Sequence, residues 1–291
     1  MPDYGSSPTV RRRRLAAELR RLRERAGLTG DEVAETLGWS ASKISRIELH
    51  RIGVKQADLN RLLDLYGIAD VHREGLLALA RESREGGRLE AVAATFPGEH
   101  AAFLYAEAEA KSEWTWDPQV VPGLLQTAEY ARAVMLGLDE VFPLSPADID
   151  RRVEARMLRQ NVLHRDPPFL LSAVIDESVL RRRLDENSVM RGQLNKLTWA
   201  AELPNVTLQV LPLAGRQPVT TGAFIYMKFP QVHDVPLHDI AIVEHLAGSD
   251  YVEGDEETFQ YNRAFKSLAR SALAPDESLH LIRKTGLEVW K

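Results

Sequence analysis

The twenty residues from Gly30 to Leu49, GDEVAETLGWSASKISRIEL, constrain this chain more than any other segment. Val33, Leu37, Ile44 and Ile47 fall where two short helices would pack against each other, and Ala34 is small where they approach most closely. Gly38 stands at the turn between them, where a positive φ is needed. Trp39 follows as an apolar plug, and Ser40 is a good N-cap for the second helix. An ordinary helix hairpin shares one or two of these features. The joint match of small, apolar, glycine and cap positions predicts a helix-turn-helix unit.

In such a unit the second helix lies in the major groove of DNA with its N-terminal part against the bases. Here that helix spans Ser40–His50 and turns Ser40, Ala41, Ser42, Ser45 and Arg46 outward, with Lys43 beside them. Short polar side chains let the helix backbone come close to the base edges. Arg46 alone among them suits a bidentate contact to guanine. Lys43 and Arg51 are expected on phosphates, setting register, and Thr29 at the cap of the preceding helix is a further phosphate donor.

The flanking residues extend this head. Arg11–Arg25 is an amphipathic helix pattern with Leu15, Leu19, Leu22 and Ala26 on one face, Thr9 as a candidate N-cap and Gly27 as its stop. Arg11–Arg14 crowd the positive end of that helix dipole, an arrangement a phosphate would offset, so Arg12 and Arg13 join the DNA-binding candidates. The plainer reading of the run is a solvated charged face. Lys55–Tyr66 and Val71–Arg84 complete five short helices with a core of their own. Charge supports the division. Residues 1–60 hold 12 Lys and Arg against 8 Asp and Glu, a net +4, within a chain whose net charge is −5. A basic head on an acidic body suits double-stranded DNA as partner.

The stretch VRRRRLAAELRRLRERAGLTGDEVAETLGWSASKISRIE resembles the lambda-repressor-like (XRE) helix-turn-helix family. VVPGLLQTAEYARAV (120–134), RRVEARMLRQ (151–160), DESVLRR (176–182) and NVTLQVLPL (205–213) extend the resemblance over nearly the whole chain. They resemble a group of actinobacterial regulators with an antitoxin-like C-terminal domain. That resemblance implies a transcription regulator of development or specialised metabolism, with a small partner protein encoded nearby. The alternative it leaves open is the antitoxin of a toxin–antitoxin pair. One head reads few base pairs, so a homodimer on a pseudo-palindromic operator is expected.

The boundary is expected near residue 90, giving a 1–90 DNA-binding domain and a 91–291 regulatory and dimerisation domain. Helix patterns run over Ala101–Lys111, Leu124–Leu136, Pro146–Leu163, Val189–Ala201, Glu256–Leu273 and Pro275–Val289. Trp114 and Trp116 lie in a short extended segment, and strand patterns cover Phe169–Ile175, Val206–Leu211, Phe224–Phe229 and Ile240–Leu246. The fold class predicted is an all-α lambda-repressor-like head followed by an α+β domain with a small, partly antiparallel sheet.

Enzyme chemistry has little support in the body. The chain has no cysteine, which removes thiol catalysis and thiolate metal sites, and fits a cytoplasmic protein. His233, Asp234, His238, Asp239 and His245 match no metal spacing, and no phosphate loop or nucleophile elbow is present. An acid–base site would need Asp176, Glu177, Glu244 and His245 to converge. No cofactor, no metal and no catalytic residue is expected. Trp114, Trp116, Tyr130, Phe224, Tyr226 and Tyr251 either line a small-molecule pocket or form plain core. Pro122–Thr127 reads as a tight helix entry or as an interface or ligand contact. No apolar run is long enough for a membrane span.

Overall fold

The computed structural model describes residues 10–68, 70–82, 98–138, 141, 143–231, 235, 238–246 and 248–291. The chain divides into two compact units: Met1–Glu109 with Phe229–Leu237, and Ala110–Lys228 with His238–Lys291.

The first unit is helical: α1 (Val10–Arg25), α2 (Gly30–Leu37), α3 (Ala41–Glu48), α4 (Gln56–Leu65), α5 (Asp70–Glu82) and α6 (Gly98–Glu109). Local signals set the ends of α2 and α3. The Thr29 hydroxyl accepts from Glu32 N while the Glu32 carboxylate takes the Thr29 amide, closing a capping box. Gly38 ends α2 at φ 67°, and the Ser40 hydroxyl accepts from Lys43 N to start α3. Leu15, Leu19, Leu22, Val33, Ile44, Ile47, Leu59, Leu62 and Leu63 form one buried core, against which Trp39 packs. Ala26 lies beyond the last turn of α1 and is exposed rather than part of this face. Thr9 and Arg84 lie outside the described residues.

The core also takes Val235, which has no exposed surface although it stands some two hundred residues downstream in the sequence. Arg14, likewise fully buried, donates weakly to the Val235 carbonyl at 3.4 Å.

The second unit is a six-stranded mixed sheet, larger than the small sheet the sequence predicts. Its strands are β1 (Ser112–Asp117), β2 (Leu170–Asp176), β3 (Val206–Leu211), β4 (Phe224–Lys228), β5 (Ile240–His245) and β6 (Gly248–Val252), in the order β3-β2-β1-β4-β5-β6. β1, β2 and β3 run parallel, and β4, β5 and β6 add antiparallel on the other side of β1. The Trp114–Trp116 segment is therefore the centre of the sheet. Trp116 is fully buried there, with Ser112, Glu113 and Thr115 also inside.

Helices α7 (Ala128–Gly137), α8 (Pro146–Arg159), α9 (Glu177–Arg181), α10 (Asn187–Ala200), α11 (Asp255–Ser271) and α12 (Pro275–Glu288) surround the sheet. The helix expected over Leu124–Leu136 is split. Gly123–Leu125 forms a 3-10 turn, Gln126 is extended, and Thr127 caps α7 by accepting from Tyr130 N. α8 ends at Arg159 and continues as a 3-10 segment, Gln160–His164. α7 and α8 pack through Ala131, Met135, Ile149 and Val153, while α11 buries Phe265 and Leu268 against Trp116, Val174, Leu211 and Phe224.

Candidate nucleic-acid interface

Ile44 and Ile47 hold α3 against the core, and the opposite side of the helix is bare. Ala41, Ser42, Ser45, Arg46 and Leu49 are exposed at positions one, two, five, six and nine of the helix and its cap, which is one continuous stripe. Ser40 sits at its start, with its hydroxyl 3.1 Å from that of Ser42. The Arg46 guanidinium lies along the stripe, its Nε donating to the Ser42 carbonyl at 3.3 Å. A bond of that length on an exposed surface leaves the fork available to a stronger acceptor. Leu49, 44% exposed, was not singled out from the sequence. An apolar residue off the Ile44–Ile47 side is the signal for it, and it suits a thymine methyl.

A second group gathers beyond the C-terminal end of α3. His50 takes a positive φ of 49°, which folds the chain back toward α1. The guanidinium of Arg12 passes 3.7 Å from where a Cβ on Gly53 would stand, so it lies on this turn. Burial, then the positive charges of Arg13, Arg12 and Arg51, push the His50 pKa down to about 4. Arg12, Arg13, His50 and Arg51 are thus one basic cluster. Within it Arg51 is exposed, Arg12 is half-buried and Arg13 is largely buried at 8%.

The other two sequence candidates are occupied within the fold. Lys43 Nζ sits 2.9 Å from Asp58 Oδ2 and 3.6 Å from the centre of the Trp39 ring, so it ties α3 to α4. The Thr29 hydroxyl donates to Glu32 Oε2 at 2.9 Å. Hydrogen bonds from the Thr29 backbone and hydroxyl hold the Glu32 carboxyl below its ordinary pKa. Beneath this surface Arg23 makes a two-pronged bond to Glu48, at 2.7 and 2.9 Å, fixing α1 to α3.

Residues 14–76, a span that contains α2 and α3, match the model of a helix-turn-helix domain. Residues 100–284 match the model of a domain of unknown function, DUF5753. The chain belongs to the DUF5753 family. Comparison with curated proteins and with solved structures returns no match.

In the DUF5753 region the four residues of the acid–base alternative do not converge. Asp176 caps α9 by accepting from Ser178 N, and Glu177 pairs with Arg181 and accepts from Leu213 N. Glu244 and His245 stand on β5, three strand spacings from β2, or roughly 14 Å. Among the described residues no group of three His, Asp or Glu could hold a metal ion, and His233 and Asp234 lie outside those residues. The Pro122–Thr127 turn is braced from within. Gln126 Nε2 donates to Val121 O, Gln160 Nε2 to Gln126 O, Gln193 Nε2 to Leu125 O, and Thr127 N to Gln193 Oε1. No helix among the described residues is long and apolar enough to cross a membrane.

Proposed function

We propose that this protein is a cytoplasmic, non-enzymatic transcription regulator that binds a pseudo-palindromic operator as a homodimer. The observation that carries this reading is the bare stripe of α3. Ser40, Ala41, Ser42, Ser45 and Arg46 face outward together, flanked by a basic cluster. Arg46 reads a guanine, while Ser40, Ser42 and Ser45 serve nearby bases or phosphates. Arg12, Arg51 and the edge of Arg13 hold the phosphate backbone next to the C-terminal end of α3. Lys43 and Thr29 act first as structural ties, reaching a phosphate only by exchanging Asp58 or Glu32 for it.

A core shared by five short helices, with the second and third as the motif, supports a lambda-repressor-like assignment of the head. Residues 91–291 supply the main dimer contacts and receive the signal, a small partner protein or a ligand. The acidic balance of that region supports a role away from DNA. Selection of bound sequences from a random duplex library, with sedimentation of the full chain, tests the reading. It predicts two half-sites about 34–36 Å apart and a dimer. An asymmetric motif on a monomer removes the two-fold arrangement, and the absence of any enriched motif removes the function.

A further inference from the structure

One side of the sheet and the last turns of α11 form a cleft between them. Trp114 of β1 stands in register with Ser172 of β2 and Tyr226 of β4, and Ser172 with Thr207 of β3. Trp114, Ser172, Thr207 and Gln209, with Phe265, Lys266, Ala269 and Arg270 from the last turns of α11, line this cleft of about 410 Å³. That volume lies within the roughly 300–1,000 Å³ of small-molecule sites.

The lining has two chemical halves. The apolar half is Trp114, its ring stacked on Phe265 at 5.3 Å and tilted against Tyr226 at 5.5 Å. Although central in the sheet, Trp114 keeps part of its surface exposed. The polar half is cationic. Lys266 and Arg270 line it, with Lys266 Nζ 5.8 Å from the Trp114 ring, and Lys228, outside the lining, places its Nζ 4.3 Å from the same ring. Among the described residues none of these three cations has a carboxylate within ion-pairing distance, and no acidic residue lines the cleft. In a body with an acidic balance, two cations over one indole and Arg270 on the cleft wall mark a distinct surface.

The negative end of α11 opposes an anion here, but it is masked. Gln209 Nε2 donates to the Ala269 and Leu273 carbonyls at 3.1 and 2.9 Å, and Arg270 sits in the last turn. The Ser172 and Thr207 hydroxyls on the floor remain available as donors.

We propose that this cleft binds a small organic anion with a flat apolar body, such as an aromatic carboxylate or sulfonate. The ring lies against Trp114 and the acid group meets Lys266 and Arg270. The site stands without the DNA-binding reading, because it rests on the cleft alone.

The test is calorimetric titration of the full chain with naphthalene-2-sulfonate and, as the opposite charge on the same ring, naphthalen-2-ylmethylammonium. One saturable site for the sulfonate is expected, with weaker or no binding of the ammonium. The exposed double variant Lys266→Gln/Arg270→Gln should weaken sulfonate binding about ten-fold or more while unfolding at the same temperature. Equal affinity for both probes, undiminished binding by the double variant, or no saturable site at millimolar sulfonate would each overturn the proposal.

Discussion

At neutral pH the His50 imidazole is uncharged, because burial and the neighbouring Arg13, Arg12 and Arg51 charges push its pKa down to about 4. A base whose folded pKa lies below its unfolded value of 6.5 favours folding above that value. The contribution is lost as pH falls toward 4. A phosphate bound by Arg12 and Arg51 would offset their charge and raise the His50 pKa. Binding would then take up a proton, and affinity should rise as pH falls toward the free-state His50 pKa of about 4, over the range in which circular dichroism shows the fold still present. His50→Asn, which tolerates the positive φ, should flatten that dependence. A slope identical in both proteins would place the phosphates away from this cluster. The same scale shows which site residues were legible. Ser40, Ala41, Ser42, Ser45 and Arg46 follow from the helical period and one cap. The engagement of Lys43 depends on Asp58, fifteen residues away, and the basic cluster depends on a turn at a non-glycine residue with positive φ. Neither is written in local pattern.

Among elements, α1 separates two kinds of arginine that look alike in the sequence. Arg12 keeps surface on the His50–Val54 turn, whereas Arg14 is fully buried, with its Nε and Nη2 lacking hydrogen-bond partners among the described residues. Burial lowers the Arg14 pKa, opposed by the charge of Glu109. Arg12→Ala should therefore weaken binding to all duplexes alike and reduce the salt slope by about one. Arg14→Met should leave the slope unchanged and alter only stability, since a buried cation replaced by an apolar chain of similar volume is often neutral or stabilising. Operator titrations over a salt series decide this, and a reduced slope for Arg14→Met would contradict it. The element ends were the legible part of the fold: Thr29, Gly38 and Ser40 act within four residues of themselves. β6 was missed because none of its residues is buried, so it has no alternation to read. The α7 start was misplaced because Leu124 and Leu125 are buried in a 3-10 turn, which continues the apolar pattern without continuing the helix.

For the whole molecule, contacts far apart in sequence matter most. Val235 completes the core of the helical unit, and nothing near it in the sequence links it to α1. Val235→Ala in the full chain should cost about 1–3 kcal/mol. It should speed hydrogen exchange of the α1 and α4 amides accordingly, with β1–β3 unaffected. Equal protection in both proteins would show that Val235 adds nothing to that core. The central claim is that α3 reads DNA through its outward stripe, and Arg46 tests it most directly. In a binding-selection assay on the full chain, Arg46→Ala should lose preference at one base pair per half-site and about 1–3 kcal/mol of specific affinity, with the rest of the motif intact. An unchanged sequence preference would contradict it.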